Sequence, residues 1–191
     1  SNSTDIGKSI ALQSDGKIIV GGYFDAADLN DFAIVRYNSN GTLDLTFNST
    51  GKVTTDIGSG SSDVVRAIAM QDDGKLLVAG YSNPFGHFDF MLLRYNTDGS
   101  LDESFNSTGK VITDIGTGSS DFAQTIAVQN NGKILVAGYS DAAGSFDFVL
   151  ARYNRDGSLD MSFNSTGKVI TGISSNSTDI GKSIALQSDG K

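Results

Sequence analysis

Ile10-Ala11-Leu12-Gln13-Ser14-Asp15-Gly16-Lys17 returns as Ile68-Ala69-Met70-Gln71-Asp72-Asp73-Gly74-Lys75, as Ile126-Ala127-Val128-Gln129-Asn130-Asn131-Gly132-Lys133, and as Ile184-Ala185-Leu186-Gln187-Ser188-Asp189-Gly190-Lys191. Each start lies 58 residues beyond the last. A fixed period of this size marks stacked supersecondary units rather than one globular domain built around one pocket. The chain divides into repeats at 1–58, 59–116 and 117–174, with the start of a fourth at 175–191.

Each unit reads as β. Ile10–Gln13 is a short apolar strand, and Asp15-Gly16 leads into a second over Lys17–Tyr23. Asp-Gly between apolar runs predicts a two-residue type I′ hairpin, in which both central residues take positive φ. The same step recurs at Asp73-Gly74 and as Asn131-Gly132. The most variable stretch follows, read as a loop at 24–30, 82–88 and 140–146. A third strand over Asp31–Tyr37 is apolar on both faces, which places it between layers. A second turn at Asn40-Gly41, then Leu43-Asp44, Phe47 and Asn48–Gly51, leads to a last strand over Lys52–Ile57. Helical periodicity is missing. Four short strands in meander order suit one propeller blade, so the expected fold is all-β: tandem four-stranded antiparallel blades of β-propeller type.

The bulk composition narrows the function. The net charge is −8 and the pI about 4.4, a surface that repels phosphate backbones and anionic lipid. Neither nucleic acid nor membrane insertion is expected. No run of roughly 18 apolar residues is present, and no signal peptide is visible. Cysteine is absent, which removes disulfides, thiolate chemistry and Cys-ligated zinc.

Catalytic constellations are missing as well. His87 is the sole histidine and Glu103 the sole glutamate. The serines carry no Gly-x-Ser-x-Gly elbow, and the glycine-rich runs no phosphate-loop lysine. The expected protein is therefore not an enzyme and needs no cofactor. Asn96–Asp102 has the oxygens of a calcium loop without its regular spacing or its bidentate Glu; turn chemistry explains it, with calcium as the alternative. Asp31 with Arg36, Asp89 with Arg94 and Asp147 with Arg152 read as structural inter-strand ion pairs, since charges on so apolar a strand need partners. The alternative is a polar cluster lining a central channel. Asn48-Ser49-Thr50, its copies at Asn106 and Asn164, and Asn2, Asn40 and Asn176 form glycosylation sequons that also serve as turn residues. Ligand or partner candidates sit in the variable loops: Phe24, Asp25 and Asn30; Asn83, Phe85, His87 and Phe88; Asp141, Ser145 and Phe146. Aromatics mixed with short polar groups on a rigid scaffold suit a glycan or protein surface.

The pattern Ile10-Ala11-x-Gln13-x-x-Gly16-Lys17 with Gly22-Tyr23, then Asp31-Phe32-x-x-x-Arg36-Tyr37-Asn38, then Gly41-x-Leu43-Asp44-x-x-Phe47, resembles the delta-60 repeat family. The likeness spans the whole chain, three times in register. It implies a β-propeller-type tandem repeat of a bacterial secreted or surface protein, without an established activity. One departure is that Asn48-Ser49-Thr50-Gly51 stands where such repeats carry more glycine, a change Asn tolerates in a left-handed turn.

Residues 1–17 and 175–191 are identical. The chain is then either a slice of a longer array of three-unit blocks or a set of blades closing a ring with a second copy. Three blades are too few to close alone, since propellers have roughly four to eight. Unpaired edges and faces recruit further chains. The sequence thus predicts a structural, interacting repeat module that associates with itself as a ring or extended assembly, outside the cell or on its surface, in adhesion or self-assembly. The alternative is a lectin-like propeller that takes up a glycan or another ligand through its loops.

Overall fold

The computed structural model describes residues 4–26, 29–174 and 177–188. Twelve strands appear among these residues: β1 Asp5–Leu12, β2 Ile18–Ala26, β3 Leu29–Tyr37, β4 Lys52–Thr55, β5 Asp63–Met70, β6 Leu76–Ser82, β7 Asp89–Tyr95, β8 Lys110–Thr113, β9 Asp121–Val128, β10 Ile134–Ser140, β11 Asp147–Tyr153 and β12 Lys168–Thr171. They form three four-stranded sheets in sequence order, β1–β4, β5–β8 and β9–β12, each antiparallel throughout. No helix occurs among the described residues, so none is long and apolar enough to cross a membrane.

Several expected boundaries shift. The first strand of each repeat begins about five residues earlier than the apolar run, at Asp5, Asp63 and Asp121. The last is shorter, ending at Thr55, Thr113 and Thr171. The expected loop 24–30 is largely strand: Asp25 pairs with Asn30 and Ala26 with Leu29. Open loops stand at this position in the second and third repeats, at 83–88 and 141–146.

The hairpin geometry also differs. Gly16 N–H donates to Gln13 O and Gln13 N–H to Lys17 O, and of Asp15 and Gly16 only Gly16 has positive φ, at 83°. The turn is a three-residue connection with a left-handed glycine, not type I′. The Asn48 substitution behaves as its chemistry allows: Asn48 and Ser49 sit at φ 50° and 58°.

A bulge interrupts the first strand of every blade, between Gly7 and Ser9, between Val65 and Ala67, and around Gln124 opposite Ala137 and Gly138. The bent strand presses its backbone onto the second strand at Gly22, Gly80 and Gly138. A Cβ on Gly80 would lie 1.9 Å from Val64 O, and one on Gly138 2.0 Å from Phe122 O. That close approach is why these positions carry no side chain.

The core lies between blades rather than inside one. Ile19, Phe32, Ile34, Phe47 and Val53 of the first blade pack on Val65, Ile68, Leu76, Val78, Met91, Leu93 and Tyr95 of the second. The opposite face of the second blade, with Leu77, Ala79, Phe90, Leu92, Phe105 and Val111, packs on Ile126, Ile134, Val136, Val149, Ala151 and Tyr153 of the third. The middle blade is buried on both faces, and all seven residues of β7 are buried.

Replacing Gly80 with Ala is expected to destabilise the chain by at least about 2 kcal/mol, because the clash is with rigid backbone. Urea unfolding of G80A checks this against Gly7→Ala, an exposed position of ordinary φ where a Cβ would meet only the Val20 side chain, at 3.2 Å; equal losses would refute the close-approach argument.

Candidate functional site

Two regions carry chemistry: the latch that ties blade to blade, and the end of the blades where the open loops lie. The latch is built from Arg36, Asp44 and Phe47 and their copies. Arg36 Nε donates to Asp44 Oδ2 at 2.7 Å, Arg94 to Asp102 at 2.6 Å and Arg152 to Asp160 at 2.6 Å. Each guanidinium also lies 4.5 Å over the ring of Phe47, Phe105 or Phe163. Arg36 Nη1 then reaches the next blade at Thr97 O, and Arg94 Nη1 reaches Arg155 O, both at 2.5 Å. Asn48 N–H donates to Asp98 O, and Asn106 N–H to Asp156 O, beside them. Deeper in, Tyr95 meets Thr55 at 2.6 Å, and Tyr153 donates to Thr113 at 2.8 Å. Burial raises both phenol pKa values well above normal.

These contacts correct the expected ion pairs. Asp31 does not pair with Arg36, Asp89 with Arg94 or Asp147 with Arg152, either within a unit or across units. Asp31 stands opposite Phe24 at one end of β3 and Arg36 opposite Ile19 at the other, about 17 Å along the strand. Each arginine takes instead the aspartate eight residues later in its own blade, beyond the turn. Asp102 is buried, which alone would raise its pKa; hydrogen bonds from Lys75, Ser104 and Arg94 outweigh this and hold it far below the usual range. Asp44 is held low chiefly by Thr46, with Lys17 and Arg36 assisting against its burial.

The displaced aspartates collect at the loop end. Asp89 opens β7, Asp114 follows β8 and Asp121 opens β9; one carboxylate oxygen from each lies within 4.8 Å of the others. Asp31, Asp56 and Asp63 repeat the arrangement one junction earlier. Asp121 Oδ2 accepts Ile115 N–H at 2.7 Å, and its Oδ1 accepts Ser119 Oγ at 2.8 Å and Ser140 Oγ. Burial, countered by His87 and reinforced by Asp121 and Asp114, raises the Asp89 carboxyl. Asp31 is raised by burial and by Asp56 and Asp63. The repeated Asp-x6-Asp spacing of 56–63 and 114–121 was the available sequence signal for these groups.

The loop candidates divide by role. Asn83 Oδ1 accepts Ser62 N–H at 2.6 Å and Asp141 Oδ1 accepts Ser120 N–H at 2.7 Å; both bind the start of their own blade. Asn30 Nδ2 reaches Ser62 Oγ at 3.3 Å. Asp25 and Phe24 lie in β2. Phe88 and Phe146 join Tyr81, Phe122 and Tyr139 in a half-buried aromatic row, with centroids 4.9–5.9 Å apart. Ser145 is half-buried. His87 Nδ1 lies 3.2 Å from Asp89 Oδ1. Phe85 stands out at 70% exposure.

The carboxylates of the calcium-like stretch Asn96–Asp102 are engaged by protein donors. Asp98 Oδ1 takes Ser100, and Asp102 takes Arg94, Lys75 and Ser104. The sequon amides of Asn48, Asn106 and Asn164 donate to Lys52 O, Lys110 O and Lys168 O; Asn2 and Asn176 lie outside the described residues.

The outer faces of the first and third blades have no neighbouring blade. Ile10 and Leu12 on one side, Phe148 and Ile173 on the other, are exposed. Residues 177–188 lie against the third blade without forming a strand. Asp179 N–H donates to Phe146 O and Ile173 N–H to Asp179 Oδ2, repeating the contacts of Asp121 with Phe88 O and with Ile115 N–H.

Residues 13–47, 71–105 and 129–163 match the family described as "Domain of unknown function (DUF5122) beta-propeller". These stretches make up more than half of the chain, and the protein belongs to that family. No curated protein matches it.

Asp102→Ala leaves the Arg94 guanidinium buried without its carboxylate and is expected to cost about 3 kcal/mol, measured by urea unfolding. Because folding depresses the pKa of Asp102, its contribution is complete above the ordinary value of 3.8 and fades as pH falls below it. Melting curves of wild type and D102A should therefore converge on acidification below about pH 4; a constant gap would refute the latch as described.

Proposed function

We propose, from its membership of the β-propeller family, that this chain is a non-enzymatic structural module that associates with itself blade on blade. The free face of the third blade receives the first blade of a second copy. The observation that carries this reading is repeat equivalence. Leu135, Phe148, Leu150, Phe163 and Ile173 on the third blade occupy the positions of Leu77, Phe90, Leu92, Phe105 and Ile115, which the middle blade buries. Ile10, Ile18, Val20, Val35 and Tyr37 on the first blade match Ile68, Leu76, Val78, Leu93 and Tyr95, buried at the other interior junction. Two faces that fit each other inside the chain are thus presented at its two ends. Arg152 is 21% exposed where Arg94 is 6%, consistent with a latch that awaits the next blade.

Residues 177–188 have the same sequence as 3–14. The segment held on the third blade is a stand-in for the first strand of an incoming copy. Arrival of that copy displaces it. A setting on a bacterial surface or in its surroundings, where such assemblies serve adhesion, is supported by the resemblance to delta-60 repeats and by the composition rich in Gly, Ser, Thr, Asn and Asp. No catalytic residue is assigned.

A second reading, lectin-like capture of a glycan or another ligand, draws on Phe85 at the tip of the 83–88 loop, 70% exposed beside the half-buried aromatic row. Binding on a glycan array that disappears in Phe85→Ala supports it.

Light scattering on size-separated protein tests the main reading. Deleting 175–191 should raise the assembled fraction, and Phe148→Asp in the deleted chain should return it to a monomer with an unchanged circular-dichroism spectrum. A monomer at all concentrations, with or without the segment, overturns it.

A further inference from the structure

The junction between the second and third blades holds a feature that the blade-stacking reading does not use. Three carboxylates, Asp89, Asp114 and Asp121, come from three separate strand ends and bring oxygens within 4.8 Å of one another. Among the described residues no Lys or Arg forms an ion pair with any of them. Asp89 is 1% exposed, and its Oδ1 has no hydrogen-bond partner. His87 Nδ1 faces it at 3.2 Å, an ion pair when the imidazole carries a proton. One imidazole is the cationic group that faces this like-charged cluster among the described residues, and it does not offset the desolvation of three carboxylates; a further positive charge there would.

From this we infer that Asp89, Asp114 and Asp121 form a divalent-cation site of the calcium class, bridging the second and third blades. Oxygens around one calcium ion at about 2.3–2.6 Å lie at most roughly 5 Å apart, which accommodates the observed spacing. The three donors are hard oxygens, the chemistry that favours calcium over thiolate- or imidazole-preferring metals. Asp121 is held in place beforehand by Ile115 N–H, Ser119 and Ser140, the kind of outer support that orients a metal ligand. Asp114 is exposed, so it supplies both a ligand and the route in from solvent. The same spacing recurs one junction earlier in Asp31, Asp56 and Asp63, but an orphaned buried carboxylate oxygen is found among the described residues at Asp89 and not in that earlier triad; at the next junction Gly172 stands where Asp114 would be, and a Cβ there would already lie 2.8 Å from Asp147 Oδ1. A cation at the site would clamp β7 and the end of β8 to β9, adding a tie between blades at the end opposite the arginine latch.

Calcium titration of the full, chelator-treated chain tests this, read by thermal melting and isothermal calorimetry. Wild type should show a saturable rise in melting temperature, with binding at no weaker than roughly millimolar calcium, the range of extracellular modules. Asp114→Asn removes an exposed ligand with no core packing to lose, and should weaken calcium binding at this site by about tenfold or more as the ligand charge falls. Asp98→Asn, in the calcium-like stretch, should leave it unchanged. Asp56→Asn separates the earlier acidic cluster and should preserve the signal. Absence of a saturable response in wild type, a response that sodium chloride of equal ionic strength reproduces, or D114N binding as wild type does, would each overturn the assignment.

Discussion

No blade in this protein has a core of its own. A single four-stranded sheet presents an apolar face on each side, and burial is achieved only where two sheets stack. Leu76, Val78, Leu93 and Tyr95 meet the first blade while Leu77, Ala79, Phe90 and Leu92 meet the third. Stability therefore resides in the junctions, as expected for a quasi-one-dimensional repeat protein. Every other feature answers to that constraint. The bulge and the bare glycines shape each sheet for stacking, and the long connection between third and fourth strands carries groups across to the next blade.

The arginine latch shows how that connection works. Placing a guanidinium at 5–6% exposure is tolerable only with several acceptors. One comes from the same blade, Asp102 for Arg94, and one from the neighbour, the carbonyl of Arg155. Because the second acceptor belongs to the next repeat, the charge is fully satisfied only when blades are stacked. A polar requirement thereby reports the same register as the apolar packing. The left-handed Asn48 and Asn106 support it from the side, each giving its N–H to the next blade's turn.

Much of this was legible from residues alone. The period, the all-β content and the order of four strands per unit follow from local turn chemistry and apolar runs, and Asn48 in a left-handed turn follows from its short side chain. The variable stretch 24–30 reads as a loop because Asp25 and Asn30 are common loop formers, yet cross-strand pairing extends the hairpin past them. Asp31 and Arg36 read as partners because both interrupt the same apolar strand; nothing local shows that the turn after β3 folds Asp44 back onto the arginine.

Asn83 and Asp141 carry a similar lesson. In sequence they look like free polar groups on exposed loops, whereas in space they accept the backbone N–H groups of Ser62 and Ser120 and hold the start of the blade. The repeat and its strands follow from the amino-acid order alone, since they depend on neighbours a few residues away. Which aspartates pair with arginine and which gather at the junctions depends on how the blades stack in space. Asp89 and Asp121 lie 32 residues apart on different sheets, and their meeting depends on the offset at which one sheet stacks on the next. A periodic sequence specifies that sheets stack, but the offset comes from side-chain packing between them.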